Sequence, residues 1–242
     1  MVAAASAADG IALARRFPAL RVGLHLVLVD GRPALPPESL PDLVDARGHL
    51  RNDLARLGAE ICAQPSVRTQ LRAEIEAQFR AYQKTGLALD HVNAHRHFHL
   101  HPAVASDVIA IGQRYGMRGL RVPREPVAVL AEIESSIKHR HAYVAPWAKL
   151  LSYRVRRAGL HSPDSVFGLA WSGAMSTRRL DGLLRHLPVG STEIYLHPAT
   201  RDDFAGGAPG YRYADELAAL IDTDIATLAR RPGVVLGGYS DF

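Results

Sequence analysis

The chain has 242 residues, enough for one α/β domain with a single core, and its 48% hydrophobic and 22% charged residues are an ordinary globular balance. Its single cysteine, Cys62, excludes a disulfide framework and a cysteine-held zinc site, so a bound metal would need His and carboxylate donors. The formal charge of +5 is uneven: Lys138, Arg140, Lys149, Arg154, Arg156 and Arg157 lie in a stretch with no acid between Glu134 and Asp164. That is a local field able to attract an anionic surface or lipid head group, but no recognised nucleic-acid module accompanies it. No run reaches the roughly 18 consecutive apolar residues of a spanning helix, and the alanine-rich start lacks a basic leader region. The expectation is a cytoplasmic protein, with peripheral contact on the inner membrane face through Lys149, Arg154, Arg156 and Arg157.

In chain order, residues 21–29 (RVGLHLVLV) read as a strand buried on both faces. Residues 67–84 read as a helix capped by Ser66, with Val67, Leu71, Ile75 and Phe79 on one face. A strand near 88–94, a helix near 103–115 opened by Pro102 and a short strand at 119–122 follow. The stretch 127–175 is the least regular and is expected to be an insertion carrying the basic patch. Ser176 caps a helix to about 187, residues 192–197 form a strand, and a helix over 213–230 leads to a last strand at 234–238. Alternating strands and helices of this kind predict parallel β/α architecture in one domain, 1–242, with chemistry at the strand ends.

Five of the twelve histidines fall between His91 and His101. On an extended backbone His95, His97, His99 and His101 would point the same way, and like-facing imidazoles can share one ion. Each alone could equally be a hydrogen-bonded surface residue; the cluster says that something binds, not which reaction runs. His25 stands in an apolar strand, where a lone histidine is more often a core residue than a ligand, although Gly23 beside it permits close backbone approach. His197, followed by Pro198, is presented at a strand end, as suits a general acid, with a plain loop histidine the alternative. Arg121 and Arg124 flank Pro123 in a rigid loop suited to binding sugar hydroxyls or phosphate.

Gly23-Leu24-His25-Leu26, Asn93-Ala94-His95-Arg96-His97-Phe98-His99, Leu120-Arg121-Val122-Pro123-Arg124 and Glu193-Ile194-Tyr195-Leu196-His197-Pro198 occur in an order that resembles the YdjC-like carbohydrate deacetylases. The wording Asp90-His91-Val92-Asn93-Ala94-His95 and the stretch Gly31–Pro37 are most similar to a branch associated with hopanoid lipid biosynthesis. The resemblance implies a distorted (β/α) barrel of the glycoside hydrolase and deacetylase type, and a divalent ion, Zn or Mg, held by one Asp and two His. The matching histidines are His25 and His95, with His97 and His99 behind them or facing substrate together with Arg121 and Arg124, and His197 as the acid. The implied reaction is N-deacetylation of an N-acetylglucosamine-containing substrate, in this branch an N-acetylglucosaminyl hopanoid.

The family's paired acidic motif, Asp-Asp-Phe-Gly, has no match here: the nearest early acid, Asp9, lies in an alanine-rich helical stretch, and Met1–Ala4 resembles the family's second strand. The expectation is therefore a chain that begins late and a barrel lacking its first strand and helix. Two other readings stand beside the deacetylase: a catalytically inactive homologue that binds lipid or a partner through the basic segment, and a His-rich metallophosphoesterase.

Overall fold

A computed structural model describes residues 1–137 and 142–242; Lys138 and Arg140, two of the six cations in the basic stretch, lie outside the described residues. The elements are α1 (Ala7–Arg16), β1 (Leu24–Leu26), α2 (Leu54–Ala63), α3 (Pro65–Gln83), β2 (Val92–Ala94), a 3-10 segment (His95–Leu100), α4 (Pro102–Arg114), α5 (Val127–Ile133), α6 (Ala145–Arg157), β3 (Ser165–Phe167), α7 (Thr177–Arg185), β4 (Thr192–Ile194), α8 (Tyr213–Ile221) and α9 (Thr223–Leu228). This is an α/β fold with parallel strand pairing. Its residues form two compact units: Met1–Arg121 with Lys149–Ser162 and Gly237–Phe242, and Val122–Ala148 with Pro163–Leu236.

In the first unit β1 and β2 pair in parallel, with Leu24 opposite Val92, His25 opposite Asn93 and Leu26 opposite Ala94. Parallel bridges from Val92 to Leu120 and from Gly119 to His161 extend the row. Leu24 and Leu26 are buried, which leaves His25 between them on the opposite side of the strand. Gly23 is required where it stands, because a Cβ there would meet the His91 ring and carbonyl at 2.6–2.7 Å. The expected strand 21–29 is regular only at its centre, and 119–122 contributes bridges rather than a named strand.

Helix α3 shields this row. Val67, Leu71, Ile75, Phe79 and Tyr82 form its buried stripe, and each such side chain contributes roughly 1.5–3 kcal/mol when removed from water. The helix begins one residue before the expected cap: Pro65 takes the first turn, where its missing N–H costs nothing, and Ser66 lies inside. Glu74 and Gln78 are also buried on this helix. The Glu74 carboxylate accepts the backbone N–H groups of Ala34 and Leu35, and Gln78 binds both N–H and C=O of Val27. Burial pushes the Glu74 carboxyl upward against these hydrogen bonds. Together the two side chains pin the long loop that follows β1.

In the second unit β3 and β4 pair in parallel from Ser165 opposite Thr192 to Phe167 opposite Ile194. The core gathers Leu130, Phe167, Trp171, Met175, Leu180, Leu183, Leu184, Ala219 and Ile225. Helix α7 starts where expected, its Ser176 hydroxyl accepting the Arg179 N–H at 3.4 Å. The stretch expected to be irregular holds α5, α6 and β3. Lacking acids, α6 has no charge alternation to advertise a helix, and β3 is only three residues long. The expected helix 213–230 is broken at Asp222, whose carboxylate accepts the N–H groups of Asp224 and Ile225 and so caps α9. The last apolar run forms no strand: Val235 and Leu236 are exposed, at 78% and 58%. Residues 1–6 form turns instead of the strand that their sequence suggested.

Candidate active-site histidines

His25 leaves the centre of β1 and meets its register partner: Nδ1 lies 2.5 Å from the Asn93 Oδ1. A carboxamide oxygen only accepts, so Nδ1 carries the proton and the lone pair stays on Nε2. Burial, offset in part by the Asn93 hydrogen bond, pushes the His25 pKa down to about 3, with the positive field of the N-terminal amine, His95 and Arg121 adding to the fall. The ring is therefore a neutral donor throughout the physiological range, the form that ligates a metal.

His95 opens the segment after β2, and its ring stands edge-on to that of His25, with centroids 5.8 Å apart and planes at 75°. The run that follows is not extended. Arg96 and His97 both take left-handed backbone angles, φ 51° and 52°, inside a 3-10 turn. Such positions cost on the order of 1 kcal/mol each for non-glycine residues and cluster at functional loops. Arg96 reaches Asp30, itself left-handed at φ 53°, across 3.6 Å. The expected common face of His95, His97, His99 and His101 is thus corrected, because the turn replaces the two-residue alternation of an extended strand.

His99 is fully buried and its Nε2 donates to the Arg121 carbonyl at 2.8 Å. His97 lies beside it, with ring centroids 6.1 Å apart. His101 turns towards α2, where its Nε2 is 3.7 Å from the Cys62 sulfur. His91 belongs to a different cluster: its Nδ1 is 2.9 Å from the Asp90 carboxylate and its ring stacks on Tyr239 at 4.6 Å. Of the two loop arginines, Arg121 is half-buried in the first unit and Arg124 is exposed in the second, where its carbonyl accepts the Val166 N–H.

In the second unit β4 ends at Ile194, so His197 sits three residues beyond it in an irregular segment ended by Pro198. Its side chain is 40% exposed, and its Nδ1 lies 3.9 Å from the buried Glu216 carboxylate. The rings of Tyr211 and Tyr195 stand edge-on to His197, at 5.3 and 5.8 Å. The Tyr211 hydroxyl shares a 2.8 Å hydrogen bond with Ser172. A half-exposed imidazole beside tyrosines is a surface that a sugar ring can contact. Neither Glu216 nor the tyrosines drew a role from sequence reasoning. A glutamate in the first turn of α8 looks like an ordinary helix-dipole partner.

The donor chemistry fits a divalent metal in part. His25 and His95 are two imidazoles at short range, and Asn93 orients one of them as ligating histidines are usually oriented. Among the described residues, however, no group of three or more His, Cys, Asp or Glu could hold an ion. The pair accounts for two positions of a coordination shell and for no anionic one.

The chain is thus an α/β protein with paired parallel strands, one of which carries His25 at its centre while His95 directly follows another. A family model described as YdjC-like protein matches residues 1–231, and the chain belongs to that family. It is 32% identical over 236 residues to a chitooligosaccharide deacetylase of Yersinia pestis (strain Pestoides F), covering 95% of this chain and 81% of that protein. It is 29% identical over 235 residues to a carbohydrate deacetylase of Geobacillus stearothermophilus, covering 95% of this chain and 79% of that one. A crystal structure from Enterococcus faecalis V583, of a protein named for cellobiose-phosphate cleavage, superposes with a TM-score of 0.70 over 96% of this chain and 82% of its own; at 22% identity the likeness shows the fold.

Proposed function

We propose that this protein is a carbohydrate N-deacetylase acting on an N-acetylglucosamine-containing substrate, in its finer form an N-acetylglucosaminyl hopanoid lipid. The observation that carries the reading is the edge-on pair His25 and His95, with His25 held as a neutral donor by Asn93. It is supported by membership of a family whose relatives are named as deacetylases of carbohydrates and chitooligosaccharides. On this reading residues 1–242 serve one deacetylase domain on a barrel scaffold.

His25 and His95 would hold a divalent ion, Zn or Mg, together with an anionic donor still to be identified. Such an ion supplies Lewis-acid polarisation of the acetamide carbonyl. The chain's own residues supply orientation and a proton. Asn93 holds the proton on the His25 Nδ1 and so keeps the lone pair on Nε2, and His99 braces the loop through the Arg121 carbonyl. Hydrolysis adds a water oxygen to the acetyl carbon, the water losing a proton to solvent, and breaks the carbon–nitrogen bond. His197, protonated, gives a proton to the departing sugar nitrogen, which would otherwise be a very poor leaving group. Tyr211, half-buried beside His197, offers a ring edge to the pyranose, and Arg121, Arg124 and His97 are assigned to substrate hydroxyls.

The test is acetate release from diacetylchitobiose and from an N-acetylglucosaminyl lipid, with added Zn²⁺ or Mg²⁺ and with chelator. Chelator-sensitive release that His25→Ala or His95→Ala abolishes is expected. Silence on both substrates with every metal would reject the enzyme reading.

A specific observation favours a lipid-facing context in either case. On α6 the side chains of Trp147 and Tyr153 are 48% and 56% exposed, beside Lys149, Arg156 and Arg157, while Leu151 and Val155 are buried. An aromatic and basic exposed face suits peripheral contact with an anionic membrane surface. Arg154 differs from its neighbours: its guanidinium donates to the Pro102 carbonyl at 2.5 Å and to Ser106 at 3.1 Å.

A further inference from the structure

Glu216 is 1% exposed, and a buried carboxylate must be compensated by hydrogen bonds or charge. Its two oxygens are divided between two tasks. Oε1 accepts the backbone N–H of Met175 at 3.0 Å, and Oε2 accepts the backbone N–H of His197 itself. Oε2 also faces the His197 Nδ1 at 3.9 Å, the range of an ion pair and beyond that of a hydrogen bond. One carboxylate thus fixes the main chain at His197 and confronts the buried nitrogen of its ring. The side chain as a whole remains 40% exposed although Nδ1 is buried.

Glu125 provides the comparison. It too is a carboxylate clamp, accepting the N–H groups of Gly168, Leu169 and Ala170 after β3, all of them backbone donors. A clamp need not confront an imidazole; Glu216 does. The titratable groups facing His197 include Glu216 from α8, Tyr211 from the loop before it and Tyr195 from the end of β4. Of these, the glutamate is the one carboxylate.

We propose that Glu216 is the positioning residue of His197, holding the ring at the strand end and favouring its protonated form. The inference rests on the acid role proposed for His197. In the reaction, Nε2 of the imidazolium gives its proton to the sugar nitrogen as the carbon–nitrogen bond breaks. His197 is then neutral and recovers a proton from solvent, while Glu216 keeps its charge throughout. A nearby anion within about 4–6 Å stabilises the cationic form of an imidazole by one to three pH units.

The experiment is a histidine-ring NMR titration of the full chain, with the His197 signal identified by its loss in His197→Gln. His197 is expected to titrate above the ordinary value of about 6.5, to fall by about one unit or more in Glu216→Gln, and to stay high in Glu216→Asp. A wild-type value at or below 6.5 overturns the proposal even if Glu216→Gln does not fold, and an unchanged value in folded Glu216→Gln overturns it equally. With diacetylchitobiose as substrate, Glu216→Gln should lower kcat by roughly tenfold or more with KM nearly unchanged, and move the alkaline limb of the pH profile downward. Wild-type turnover with that limb unmoved would sink the positioning role alone. Absent wild-type turnover would sink the deacetylase reading, and the titration would still decide whether Glu216 supports His197.

Discussion

His25 and Asn93 occupy matching positions on β1 and β2, and the same register that pairs their backbones brings the imidazole Nδ1 to within 2.5 Å of the carboxamide oxygen. The ladder itself therefore sets the tautomer of a candidate metal ligand. Replacing Asn93 by Leu keeps the volume but removes the acceptor, and leaves the ring able to present either nitrogen. Zn²⁺ affinity measured by calorimetry should weaken by roughly 10–100-fold, the usual effect of losing such a partner. His25→Ala should remove that binding altogether. Affinity unchanged in Asn93→Leu would show that the ring is oriented by other contacts.

His99 is the member of the histidine cluster with the strongest structural role. It is wholly buried and donates to the Arg121 carbonyl. Substitution by Ala removes a packed ring and strands a buried carbonyl, a combined loss of about 3–5 kcal/mol. Chemical denaturation should register this as a lower midpoint. His97→Ala, on a half-buried neighbour, should cost much less.

Asp90 contributes to the acid side of the stability curve. Burial raises its carboxyl pKa, but hydrogen bonds from His91, from the Ser240 N–H and hydroxyl and from the Tyr239 N–H outweigh that and hold it below the ordinary range. Because the folded value lies below the unfolded one, the stabilisation is fully present above about pH 4 and fades as pH falls through the depressed folded value. Thermal midpoints measured from pH 6 down to pH 2 should drop steeply in the wild type. In Asp90→Asn the midpoint should be lower at pH 6 and the decline shallower. Asp241, held at about 2 chiefly by its hydrogen bond from Arg21, titrates in the same direction at the exposed end of this segment.

The basic helix separates two kinds of arginine. Arg156 and Arg157 are exposed, whereas Arg154 is tied to the Pro102 carbonyl and to Ser106. Each exposed cation near an anionic membrane contributes about 1 kcal/mol, so Arg156→Ala with Arg157→Ala should lower partitioning into phosphatidylserine vesicles by roughly tenfold or more. Arg154→Ala should instead lower the thermal midpoint. Equal vesicle binding by the wild type and the double variant would remove the membrane reading.

Much of the scaffold was legible because it rests on periodicity. The stripe Val67, Leu71, Ile75 and Phe79 announces α3, and Pro102 marks the start of α4, since each is a local rule obeyed by neighbouring residues. The tail departs from its local pattern for the opposite reason. Val234, Val235 and Leu236 have the composition of a strand, but a strand needs a partner and these residues pair with none among the described elements. The helix break at Asp222 hides likewise in a continuous apolar pattern, because a capping carboxylate looks like any surface acid until its hydrogen bonds are seen.

The sequence by itself determined the parallel α/β character, the family, and the histidines on which any chemistry must draw, because spacing and residue type carry that information. Only the tertiary structure decided what each histidine faces. The left-handed turn at Arg96 and His97 scatters a run that would share one face if extended. Register pairs His25 with Asn93 across 68 residues, and folding brings Glu216 from α8 beneath His197. An imidazole's role is set by the group opposite its ring nitrogens, and that group is chosen in space, at a distance along the chain that no local pattern records.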